Sequence, residues 1–217
     1  MTEGRSLALS ASPVKERWET IWQKLAAPSI PHAILDELVH AYSSPERHYH
    51  TLTHIQECFA LFDQTSHLAA HPEEVELAIW FHDAVYDPER NDNEQRSAAW
   101  ASAVIRQSGL SREIALRVSD SILATRHHGE VTGADAQLLV DIDLSILGRD
   151  PATFWRYEEN IRKEYARVPE DVFRDERAKI LRRFLDRSHI YYHKEYRERF
   201  EARARTNLER AIARLGG

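Results

Sequence analysis

The chain has 217 residues and a mass of 25.2 kDa, the size of one compact domain, and its 29 basic against 35 acidic side chains leave a net charge of −6. With acids and bases mixed along the sequence, a nucleic-acid duplex is excluded as the main partner. One cysteine, Cys58, excludes an internal disulfide framework and Cys-rich zinc modules and fits a reducing cytoplasm, while 7 glycines and 8 prolines are too few turn residues for many hairpins.

The first twelve residues lack a long apolar run behind basic residues, and no stretch approaches the ~20 apolar residues of a membrane span, so neither export nor membrane embedding is expected. Ser12-Pro13 is a cap-plus-proline start for a helix with Val14, Trp18, Ile21, Trp22 and Leu25 on one side, closed by Pro28. A second helix spans about Pro31 to Tyr42, with Ile34, Leu35, Leu38 and Val39 as its apolar stripe, and Pro45 breaks the chain after it. From about Tyr49 the pattern Leu52, Ile55, Phe59, Phe62 predicts a third, and Pro72 opens a fourth carrying Val75, Ala78, Ile79 and Phe81. After the loop Tyr86 to Asn93 come a helix capped by Asp92 or Asn93 and ending at Gly109, one capped by Ser111 and ending by Gly129 to Gly133, and an apolar segment from Ala134 to Leu147. Asp150-Pro151 starts a helix bearing Phe154, Tyr157, Ile161 and Tyr165, and two amphipathic segments follow, Asp171 to Asp186 and about His189 to Leu215. No strand, repeat or low-complexity linker stands out, so an all-α bundle of nine or ten helices is expected. The arginines of the last third interleave with acids, as on solvated helix faces.

The 12 histidines are unevenly placed, with sharp groups at His50/His54, His82-Asp83 and His127-His128 beside the acidic pair Asp141/Asp143. Histidine with carboxylate suits Zn, Mn, Fe, Co or Ni, and carboxylates extend the range to Mg. His50 and His54 are four apart, so on a helix they share one face. His82 and Asp83, as helix neighbours, diverge by about 100° and converge on metal only near an open helix end or around two ions. Asp141 and Asp143 on one helix would point about 200° apart, so only one of them should ligate. Arg47, Arg126 and Arg162 are candidates to clamp substrate phosphate, with a structural salt bridge the equal alternative for each. Cys58 reads as core, Glu94 as a first-turn helix charge or a carboxylate supporting the site, and Trp100 and Trp155 as core or interface.

Tyr49-His50-Thr51-Leu52-Thr53-His54-Ile55, Phe81-His82-Asp83 and Asp141-Ile142-Asp143-Leu144-Ser145 resemble, in order, the motifs of the HD superfamily. The phrases Pro45 to His50, Asn93-Glu94, Asp143 to Gly148 and Ile161 to Tyr165 resemble the bacterial predicted metal-dependent HD phosphohydrolases over roughly residues 40 to 210. The resemblance implies one HD-type helical domain over residues 1–217, with the motifs within about 40–150 and C-terminal helices over 151–215. It implies one or two divalent ions held by His54, His82, Asp83 and Asp143, with Asp83 able to bridge two. His50 matches a histidine that gives a proton to the leaving group in the phosphodiesterases, and Asp87 an acid that orients water in the alarmone hydrolases. The glutamate before that acid is Tyr86 here, which argues against an alarmone hydrolase. His128 is a candidate further ligand or a helix C-terminal cation, and Asp141 a further ligand, a supporting carboxylate or a cap. The expected activity is hydrolysis of a phosphorylated, nucleotide-like small molecule by metal-activated water. An HD-type diiron oxygenase and a nucleotide-binding regulatory module are the alternatives, and a homo-oligomer is left open.

Overall fold

A computed structural model describes residues 11–126 and 131–216, and every regular element among them is helical. In order these are α1 (Ala11–Lys24), α2 (His32–Tyr42), α3 (Leu52–Thr65), α4 (Pro72–Phe81), α5 (Asn93–Gln107), α6 (Arg112–Ala124), α7 (Ala134–Asp143), α8 (Pro151–Glu164) and α9 (Glu170–Leu185). The short α10 (Lys194–Tyr196) runs through a π-turn, Arg197–Glu201, into α11 (Ala202–Gly216), so that the last rod is continuous. Among the described residues no helix is long and apolar enough to cross a membrane.

α4 is the axis of the bundle. Eight of its ten residues are buried and it packs on α1, α3, α5, α6 and α7, as a helix apolar on all sides must. Its two buried acids are paired, Glu74 with Arg117 at 2.6 Å and Glu76 with Arg17 at 2.6 Å, which offsets their desolvation. Trp18, Trp22, Trp80 and Phe81 meet edge-on or tilted around it. One hydrophobic cluster continues from Trp18 through Phe154 to Ala211, joining the C-terminal helices to the rest.

Caps and prolines mark the starts of α4, α6 and α8. Pro72 and Pro151 occupy first-turn positions, Ser111 accepts from the Ile114 amide at 3.3 Å, and Asp150 accepts from the Thr153 amide at 3.1 Å. Asp92 precedes α5, but its carboxylate pairs with Arg90 instead of capping.

Three elements differ from the sequence pattern. The segment after α7 tightens to a 3₁₀ turn, Leu144–Gly148, where Gly148 lies so close to Phe200 that a Cβ would sit 2.5 Å from the Phe200 Cβ. Residues 189–193 are not helical, because Asp141 accepts from the amides of Tyr192 and His193, both at 2.7 Å, and draws that segment onto α7. Arg177, placed on a solvated face by composition, is buried against Glu158 and Tyr157.

Candidate metal centre

Three helix ends meet beside α4. His54 lies in the first turn of α3, His82 and Asp83 follow the last residue of α4, and Asp143 is the last residue of α7. One ligand atom from each lies within 4.8 Å of the others. The two Nε2 atoms are 3.1 Å apart, His82 Nε2 is 3.1 Å from Asp83 Oδ2, and His54 Nε2 is 3.6 Å from Asp83 and 3.5 Å from Asp143. Metal–ligand bonds of about 2.0–2.2 Å place neighbouring donors roughly 3.0–3.6 Å apart, so the set fits one divalent ion. His82 Nδ1 donates to the Ile79 carbonyl at 2.9 Å, which leaves Nε2 as the ligating nitrogen. The ends of α4 and α7 add the partial negative charge of helix C-termini, which favours a cation.

His82 and Asp83, though neighbours, face one another across 3.1 Å because α4 stops at Phe81, one of the two arrangements the sequence argument allows. The histidine side chains are 3% and 1% exposed and the carboxylates 19% and 18%, so the cluster is sealed on its nitrogen side and open on its oxygen side. Burial opposes charge on His82, but Asp83 and Asp143 outweigh it and raise the imidazole to about 9. Asp83, against its own burial, is held well below the carboxylate range by His82 and His50.

Asp83 and Asp143, the carboxylates of the cluster, line the floor of a cleft of about 360 Å³ between the loop after α4, the ends of α5 and α6, and α8 and α9, with His54 and His82 buried behind them. His50, Tyr86, Glu94 and Arg126 line it, as do Arg183 and Arg187 from α9. Among the described residues, the side chains of Arg126 and Arg183 engage no hydrogen-bond or ion-pair partner, whereas Arg90 and Arg177 are committed to Asp92 and Glu158.

His50 stands outside α3, two residues before its first turn, so the same-face geometry with His54 does not hold. A contact remote in sequence positions it instead. Glu164, the last residue of α8, accepts the amides of His48, Tyr49 and His50 at 2.7 to 3.0 Å on one oxygen. On the other it accepts His50 Nδ1 at 2.7 Å and the Tyr86 hydroxyl at 2.9 Å. Tyr86 stacks on the His50 ring at 4.1 Å, and the His50 and His54 rings are 6.2 Å apart. Burial opposes the ionisation of Glu164, yet His50 and the backbone amides hold it down at about 2. Burial likewise opposes charge on His50, and Asp83 and Glu164 raise its pKa above the ordinary histidine value. Sequence reading missed Glu164 because nothing in an α8 written as an amphipathic helix marks its last carboxylate as remote from solvent.

The remaining sequence candidates divide clearly. Asp141 is fully buried and turned from the cluster, its carboxylate holding the amides of Tyr192 and His193 and the His193 ring at 2.9 Å. It is a cap for that segment rather than a ligand in the set. Asp87 accepts the Glu89 amide at 2.9 Å within a loop closed by Asn93, away from the cleft. Arg47 gives its guanidinium to the carbonyls of His50, Asp83 and Ala84, bracing the end of α4. Arg162 caps its own helix through the Tyr165 and Val168 carbonyls and pairs with Glu170. Of the three proposed phosphate clamps only Arg126 lines the cleft. His128 lies outside the described residues. Cys58 is buried beside His54, its thiol raised by burial and the nearby carboxylates.

No protein-family model, curated protein or solved structure matches the chain.

Proposed function

We propose that this chain is a divalent-metal-dependent phosphohydrolase acting on a phosphorylated, nucleotide-like small molecule. The observation that carries the reading is a two-histidine, two-carboxylate donor set whose carboxylates open onto the floor of a cleft rimmed by arginine. The same four residues are those the HD resemblance implies. A cleft of about 360 Å³ lies within the range of small-molecule sites. A divalent ion bound there supplies Lewis acidity and lowers the pKa of water it carries.

The chain's own groups divide the remaining work. Arg126, after α6, and Arg183, on α9, offer guanidinium donors to phosphate oxygens in the cleft. His50, with Nδ1 bound to Glu164, has Nε2 left for substrate, and Asp83 and Glu164 favour its protonated form. As the bond from phosphorus to the leaving oxygen breaks, His50 Nε2 gives that oxygen a proton. Glu164 and Tyr86 fix the ring that does so.

Metal analysis of purified protein, paired with a phosphate-release screen over nucleotides, cyclic nucleotides and simple phosphomonoesters, tests the reading. Release that requires added divalent ion and disappears in Asp143→Ala supports it. Bound iron with dioxygen consumption and no phosphate release would replace it with an oxygenase.

A further inference from the structure

The arginine-rimmed cleft is one of two approaches to the centre. A recess of about 10 Å³, which has room for about one water molecule, is bordered by His54 and Asp143 and by Glu57, Ser145 and Arg149. It shares Tyr49, His54, Glu57 and Ile146 with a groove of about 280 Å³ between the start of α3 and α8. The arginine cleft meets the recess only at Tyr49, Asp143 and Ile146, so Glu57, Ser145 and Arg149 belong to this second approach alone. A buried water needs about two to four polar partners. Among the described residues, the Glu57 carboxylate, the Ser145 hydroxyl and the Arg149 guanidinium engage no hydrogen-bond or ion-pair partner, although Ser145 is only 5% exposed. Glu57 follows His54 by three residues on α3, which puts it on the same face. The thiol of Cys58, which lines the recess too, is raised by burial and then by Asp143, Asp83 and Glu57, and lowered by Arg149, so the charges of Glu57 and Arg149 are both felt there.

We propose that this recess holds the water that attacks phosphorus and that Glu57 is the base that takes its proton. The inference rests on the phosphohydrolase reading and adds the residue that serves the attacking oxygen. In a displacement at phosphorus the attacking and leaving oxygens stand roughly in line, so the base and the acid must reach the reacting group from different sides. His50 lines the cleft and not the recess, whereas Glu57 lines the recess and the groove and not the cleft. The water oxygen forms its bond to phosphorus as the bond to the leaving oxygen breaks. Glu57 accepts the proton of the water, His50 gives one to the leaving oxygen, and Ser145 holds the water by a hydrogen bond. Glu57 is exposed on the groove side and passes its proton to solvent there. Water thus enters by the groove while the anionic substrate occupies the arginine cleft.

Two measurements on the full-length protein test this. A high-resolution crystal structure of the metal-free protein should show an ordered water within hydrogen-bond distance of Glu57 or Ser145, and a recess without one overturns the inference whatever the activity. Glu57→Gln keeps the size of the side chain and removes the base, so it should lose roughly 10²- to 10⁴-fold in kcat with metal content unchanged. Its KM should change less than about twofold, as for an interaction made only in the transition state. Added formate, a free carboxylate, should restore part of the turnover of Glu57→Ala, which a purely structural role of Glu57 does not allow. A Glu57→Gln variant that keeps its turnover or loses its metal overturns the inference, as does a Glu57→Ala variant that formate leaves inactive, while phosphate release by the wild type leaves the phosphohydrolase reading standing. A wild type that releases no phosphate from any compound overturns that reading and the role of Glu57 with it.

Discussion

At the floor of the cleft and just behind it, four candidate metal-binding side chains come from three helix ends, and each is placed by the helix that carries it. At the rim, His50 sits in an irregular turn, and its position depends on Glu164, 114 residues away. The two regions share one cavity but are held by different forces. The floor is fixed by the packing of α3, α4 and α7 and gathers two carboxylates against two histidines, while the rim is fixed by hydrogen bonds around the single carboxylate of Glu164. Loss of a floor residue should therefore be read in metal binding, and loss of a rim residue in turnover with metal retained.

The largest effect is expected at the floor. Asp143→Ala should lose metal and all metal-dependent turnover, with the stability of the metal-free protein little changed; retention of metal measured by mass spectrometry would break the distinction. At the rim, His50→Ala should keep its metal and lose roughly 10²- to 10⁴-fold in kcat, with a smaller loss on substrates that have good leaving groups such as p-nitrophenolate. Equal losses on good and poor leaving groups would reduce His50 to a brace.

Asp141→Ala separates the two aspartates of α7. It leaves two buried amides and a ring nitrogen without their acceptor, so we expect about 3 kcal/mol of destabilisation, a fall in Tm on the order of 10 °C, with metal affinity retained in the folded fraction. A ranking in which Asp141→Ala loses metal and Asp143→Ala loses stability would reverse their roles.

Glu164→Gln sharpens the account of the rim through pH. Glu164 falls from an ordinary 4.5 to about 2 in the folded protein, so it contributes stability that is fully present above about 4.5 and is lost as pH falls through about 2. Denaturant melts of the Gln variant should show a shallower pH dependence over that window than the wild type. The smallest effect belongs to Arg183→Ala, which should raise KM by roughly 10-fold or less, the cost of one exposed charged contact, with kcat and metal content unchanged.

Much of the floor is legible without the fold. The His82-Asp83 pair calls for a helix end or two ions, and the helix opened by Pro72 and carrying Phe81, with a loop from Tyr86, puts such an end within a turn of the pair. The angular argument that Asp141 and Asp143 point apart also agrees with the geometry, since only Asp143 joins the candidate set. The helices themselves follow from apolar periodicity with Ser111, Asp150 and the two prolines as starts, since each of these signals acts within a turn or two of chain.

The rest required tertiary structure, because it depends on contacts between residues far apart in sequence. Helical spacing put His50 on α3 beside His54, but three amides bound by Glu164 hold it in a turn outside the helix. The last segment reads as one helix from about His189, yet Asp141 captures the amides of Tyr192 and His193 and delays it. Arg47 and Arg162 have the composition of phosphate clamps, and both serve backbone carbonyls, because helix ends leave acceptors that a nearby guanidinium satisfies. By itself the sequence determined the helices, the donor types and the helix end that lets His82 and Asp83 converge. Only packing decided which arginines face the cleft and that Glu164 positions His50, since burial and distance are properties of the folded chain.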